Sequence, residues 1–104
     1  MMTDASPACV AEAVVQTSKS ARYLAQLCKH FQHKLPVSLD AGRGRIEFEG
    51  GVCELAAAEG GETLHLRLLT REPAELATLE DVVSRHLVRF AFRESLDLRW
   101  TPVG

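Results

Sequence analysis

Residues 45–69 read Arg45-Ile-Glu-Phe-Glu-Gly-Gly-Val-Cys-Glu-Leu-Ala-Ala-Ala-Glu-Gly-Gly-Glu-Thr-Leu-His-Leu-Arg-Leu-Leu69, and this stretch decides the fold. Ile46 and Phe48 alternate with Arg45, Glu47 and Glu49, the period of a half-buried strand. Gly50-Gly51 marks a two-residue hairpin turn, because glycine accepts the positive φ that such turns require. Val52 to Ala58 returns with Cys53, Leu55 and Ala57 inward. Gly60-Gly61 turns again into Thr63–Leu69, where Leu64, Leu66 and Leu68 face inward and His65 and Arg67 face out. Three strands in succession, each apolar on one side only, predict an antiparallel sheet with one face packed and one open.

Working outward, Val10–Gln16 reads as a first strand. Thr17 and Ser18 are candidate N-caps, since their hydroxyls can accept a free N–H of a first helical turn. The helix they open is expected to run to about His33, with Leu24, Leu27, Cys28, Phe31 and Leu35 at helical spacing. Pro36 ends it. Val37–Asp40 is a short strand, and Asp40-Ala-Gly-Arg-Gly44 a turn. Pro73 at a first helical position opens a second helix, striped by Leu76, Leu79, Val83, Leu87 and Phe90. Leu96, Leu98 and Trp100 alternate with Asp97 and Arg99, which predicts a last strand. The order is β-α-β-β-β-β-α-β: an α+β domain of two layers, both helices on one face of a mainly antiparallel sheet. The open face is expected to carry Glu12, Arg45, Glu47, Glu49, Glu54, Arg67, Asp97 and Arg99 as a solvated, cross-paired surface.

The 104 residues fit a single domain, here residues 10–101, with tails at 1–9 and 102–104. A formal charge of −2 lacks the basic footprint of a nucleic-acid binder. No apolar run approaches the ~18 residues of a membrane helix, and Met1–Ala8 does not read as a secretory signal. Three widely spaced cysteines, Cys9, Cys28 and Cys53, read as reduced thiols of a cytoplasmic protein. Cys28 and Cys53 fall on inner positions and behave as small apolar residues.

Lys29-His-Phe-Gln-His33 and Arg85-His-Leu-Val-Arg89 echo one another, and Ser-Leu-Asp follows each at a similar offset (Ser38–Asp40, Ser95–Asp97). The echo suggests two β-α-β halves about a pseudo-two-fold, with His30 and His86 in matching places. If the two helix ends meet, His30, His33 and His86 become candidate metal ligands, His30 and His33 being neighbours on a helix. Cys28 points about 200° away from His30 and cannot join them. Alternatively Lys29, His30, His33, Lys34, Arg85, His86, Arg89 and Arg93 form a basic patch for a carboxylate, phosphate or anionic chelate. The plainer account of both is charge compensation, since cations suit helix C-termini. The sequence carries no nucleophile–base pair, phosphate loop or dinucleotide fingerprint, and it calls for no cofactor.

Ala21-Arg-Tyr-Leu-Ala-Gln-Leu-Cys-Lys-His-Phe-Gln-His-Lys34, with Leu79-Glu80, His86-Leu-Val-Arg-Phe-Ala-Phe-Arg-Glu94 and Trp100, resembles the bacterial family called domain of unknown function 2218. The likeness covers about Val10 to Trp100. Its matching positions include Arg22, Tyr23, Cys28, Lys29, His30, His33, Lys34, His86, Arg89, Phe90 and Arg93. These residues mark the family rather than a chemistry. The resemblance implies a place beside or fused to siderophore-interacting proteins, and so a role in iron acquisition with a ferric chelate as ligand. Two functions follow as expectations. One is a non-enzymatic binding domain that uses the basic, histidine-rich helix ends. The other is an interaction module that forms a homodimer through its open sheet face.

Overall fold

The computed structural model describes residues 9–58 and 60–103. The expected tail Met1–Ala8 lies outside them. Six strands and two helices follow the expected order: β1 Cys9–Gln16, α1 Ser20–Phe31, β2 Val37–Asp40, β3 Arg43–Phe48, β4 Gly51–Ala57, β5 Thr63–Thr70, α2 Pro73–Phe90 and β6 Thr101–Pro102. Every pairing is antiparallel, in the order β2-β3-β4-β5-β1-β6.

The alternation read in the sequence is the alternation of burial. Ala11, Ala13 and Val15 of β1, Ile46 of β3, Cys53 and Leu55 of β4, and Leu64, Leu66 and Leu68 of β5 form one inner face. Tyr23, Leu24, Leu27 and Cys28 of α1 and Leu79, Val83 and Leu87 of α2 complete the same core. α1 lies over β2, β3 and β4, and α2 over β5 and β1. On the open face the charges pair across strands, Glu12 with Arg67 at 3.7 Å and Arg45 with Glu54 at 3.5 Å.

Two glycines set local geometry. Ala41 and Gly42 both take positive φ in a two-residue turn between β2 and β3. At Gly44 of β3, a Cβ would stand 2.5 Å from the Cys28 Sγ, so the missing side chain is what lets α1 settle onto the sheet.

Several expectations are corrected. The second hairpin turns on Glu49-Gly50, and Gly51 already belongs to β4, opposite Phe48. α1 starts at Ser20 with Lys19 as an N-cap that makes no side-chain bond. The Thr17 hydroxyl instead accepts the Lys19 N–H at 3.1 Å and donates to Glu94, while Ser18 caps nothing. α1 also stops at Phe31, whose carbonyl accepts the Lys34 and Leu35 N–H groups, so His33 and Lys34 sit in a turn beyond the helix.

Residues 96–100 are not a strand. Leu96, Leu98 and Trp100 do pack on the core, and the Trp100 indole donates to Ser84 Oγ at 2.8 Å. Only Thr101–Pro102 pairs with β1, at Glu12 and Ala11. Cys9 and Pro102, expected in the tails, are therefore strand residues.

The pairings make β1 and β2 run in one direction and β5 and β6 in one direction, so two β-α-β units exist with the β3–β4 hairpin between them. The strand order does not relate them by a two-fold. The first unit straddles three strands and the second only β1.

Candidate functional site

The helices meet where α1 ends. His30, in the last turn of α1, stacks its ring 4.8 Å from that of His86 on α2, tilted by 49°. Phe31 lies 5.0 Å from His30, 4.9 Å from His86 and 5.1 Å from Phe48 of β3, and Phe90 lies 5.6 Å from His30. The aromatic residues between the helices thus hold both imidazoles in place.

His86 Nδ1 is 2.7 Å from the carbonyl of Val82. A carbonyl only accepts, so Nδ1 carries the proton and Nε2 remains the atom open to a ligand. His30 titrates below its ordinary range. Loss of water around its ring is the first cause, followed by the charges of His86, His33, Arg89 and Lys34. Beside His86, Arg85 and Arg89 line a cleft of about 240 Å³. Arg85 is neutralised by Asp81 at 2.8 Å, one helical turn back. Lys29, Lys34 and Arg89 form no ion pair among the described residues.

The structure therefore brings together His30 and His86, with Arg89 and Lys34 close enough to act on His30. His33 makes no ring contact with either histidine, because it sits beyond the helix and not one turn along it. Among the described residues no three His, Cys, Asp or Glu side chains gather closely enough to hold a metal ion. Arg93 leaves the patch altogether. It lines a separate pocket with Lys19 and Arg22, and its guanidinium lies 5.3 Å from the centre of the Phe92 ring.

That second region is one the spacing arguments missed. Tyr23, 3% exposed, donates its hydroxyl to Glu94 Oε2, and Thr17 donates to Glu94 Oε1 at 3.0 Å. Hydrogen bonding by Tyr23 holds the Glu94 carboxyl below its ordinary range, with Thr17 and Lys19 adding to it. Burial, then the Glu94 hydrogen bond and charge, push the Tyr23 phenol up. The one sequence signal for this cluster was that Arg22, Tyr23, Arg93 and Glu94 all lie in the stretches that carry the family likeness. Cys28 and Cys53 are fully buried, and burial raises both thiols.

Fold and site together define a two-layer α+β protein with an antiparallel sheet, helices on one face and a paired-histidine, basic surface where those helices meet. The chain belongs to the family described as uncharacterized protein conserved in bacteria (DUF2218), whose model matches residues 12–101. It is similar to PA4090 from Pseudomonas aeruginosa, solved by NMR, at 36% identity and a TM-score of 0.76 over 89% of this chain and 95% of that one. No curated protein matches. Among the described residues, no helix is long and apolar enough to cross a membrane.

Proposed function

We propose that this chain is a non-enzymatic binding domain that takes a small polyanion at the surface where α1 and α2 meet. The reading rests on the His30–His86 ring contact at 4.8 Å, beside Arg89 and Lys34, which form no ion pair among the described residues. Loss of water around its ring disfavours the protonation of His30, and the charges of His86, His33, Arg89 and Lys34 add to the cost. An anion seated there relieves it. Carboxylate or phosphate oxygens would accept from His86 Nε2 and from the Arg89 fork, in charge-assisted bonds. Binding then carries a proton with it, and affinity rises as pH falls toward the ordinary histidine range.

An anionic ferric chelate belongs to this ligand class, and the family resemblance makes it the first to test. The open sheet face supports its rival less well, because its main charges are already matched within the sheet.

Thermal unfolding of the chain with phosphate, citrate and ferric citrate, beside a His30→Ala/His86→Ala variant, tests the reading. A ligand at about 100 times its Kd adds roughly 2.7 kcal/mol, several degrees for a domain of this size. A shift lost in the variant supports the site. No shift, or one the variant keeps, rejects it.

A further inference from the structure

A second pocket, of about 420 Å³, is lined by Lys19, Arg22, Tyr23, Phe90, Phe92 and Arg93. Its volume falls within the roughly 300–1,000 Å³ of small-molecule sites. Three of its six lining side chains are cations, and none of the three forms an ion pair among the described residues. The nearby carboxylate, Glu94, forms no ion pair with them among the described residues, and its oxygens accept from the Tyr23 and Thr17 hydroxyls. Glu94 keeps its single negative charge, felt by Lys19, so three cations against one carboxylate leave the pocket net positive.

The other three lining residues are aromatic. Tyr23 is held by Glu94, Phe90 is half-buried, and Phe92 is 75% exposed, the most exposed large apolar side chain among those described. The Arg93 guanidinium stands over the Phe92 ring. An exposed ring at the mouth of a cationic pocket leaves apolar area uncovered, and a flat apolar ligand would cover it. A planar cation already stacked on that ring can form a fork to a carboxylate at the ligand's edge.

We infer that this pocket binds a planar aromatic carboxylate, its ring against Phe90 and Phe92 and its carboxylate held by Arg22, Arg93 and Lys19. The inference does not depend on the helix-end reading, since none of His30, His86 and Arg89 lines this pocket.

Titration of the full ¹⁵N-labelled chain with 2-naphthoate, followed by backbone amide shifts, tests it. The expected result is saturable shifts centred on residues 19–23 and 90–94. Arg22→Ala and Arg93→Ala should each weaken binding by about ten-fold, close to 1.4 kcal/mol. Both side chains are exposed, so both variants should keep the dispersed spectrum of the parent. The neutral amide 2-naphthamide should bind at least about ten-fold more weakly, and so should inorganic phosphate. Absence of saturation up to about 10 mM, well above the range of a useful small-molecule site, overturns the inference. So do shifts centred elsewhere, or equal binding of acid and amide.

Discussion

The Tyr23 phenol donates its hydrogen bond to the Glu94 carboxylate, tying the start of α1 to the turn after α2 across 71 residues of chain. Thr17, at the end of β1, adds a second donor to the same carboxylate and also accepts the Lys19 N–H. One acid side chain therefore holds three separate segments in register.

Tyr23→Phe keeps the buried ring and removes the donor, so it isolates that tie. It should lower the melting temperature by about 5 °C, more than Thr17→Val does, because a donor to a charged acceptor is worth more than an ordinary one. Calorimetry of the two single variants and the double checks this. The double should lose less than the sum, since both act on one carboxylate.

The same cluster shapes the pH dependence of stability. The Glu94 carboxyl titrates below its ordinary 4.5 when folded, so its contribution is present above that pH and is lost as pH falls through the lower folded value. The Tyr23 phenol is raised above its ordinary 10.0, so its contribution holds below pH 10 and is lost as pH rises through the raised value. Glu94→Gln should flatten the acid limb of a stability–pH curve and leave the rise just below the ordinary 6.5 of histidine, set by His30, in place. That rise has its own sign: the His30 pKa is depressed, so the unfolded chain takes up the proton first and stability increases with pH there.

Much of this was legible in the sequence, and the misses share a physical cause. Alternation in residues 45–69 correctly reported both strand and facing, because those strands are paired on both sides. The same alternation in Leu96, Leu98 and Trp100 reported only burial, since an extended segment can bury every second side chain without a ladder partner. His30 and His86 could be paired from their places near two helix ends. Arg93 was grouped with them because it follows α2 closely, but Ala91–Glu94 turn the chain toward the start of α1. The Tyr23–Glu94 bond joins residues 71 apart with no periodic pattern between them, and so left no trace that spacing could reveal.

Gly44→Ala should destabilise the fold by about 1–3 kcal/mol, the usual range for overpacking. A Cβ there would meet Cys28 Sγ, while Leu24 and Leu55 stand at an ordinary 3.5 Å. Adding Cys28→Ala removes the obstructing atom. Urea unfolding of the double variant should then show less than the sum of the two single losses.

Both core thiols are buried and raised, so neither is a reactive thiolate near neutral pH. Under native conditions a thiol reagent such as DTNB should label Cys9, which is only partly covered, and should reach Cys28 and Cys53 only on unfolding. Fast labelling of three thiols in the folded chain would contradict the packing described.

Residues 96–100 are held to the rest of the molecule by side chains, with Trp100 anchored on Ser84, while their backbone is not stitched to β1. Within a paired strand, one added residue would turn every later side chain to the wrong face. In this segment only two paired residues follow, Thr101 and Pro102, so a change of length has almost nothing downstream to misalign. A residue gained or lost between Leu96 and Trp100 would leave the β1–β5 ladder, and every strand beyond it, in register.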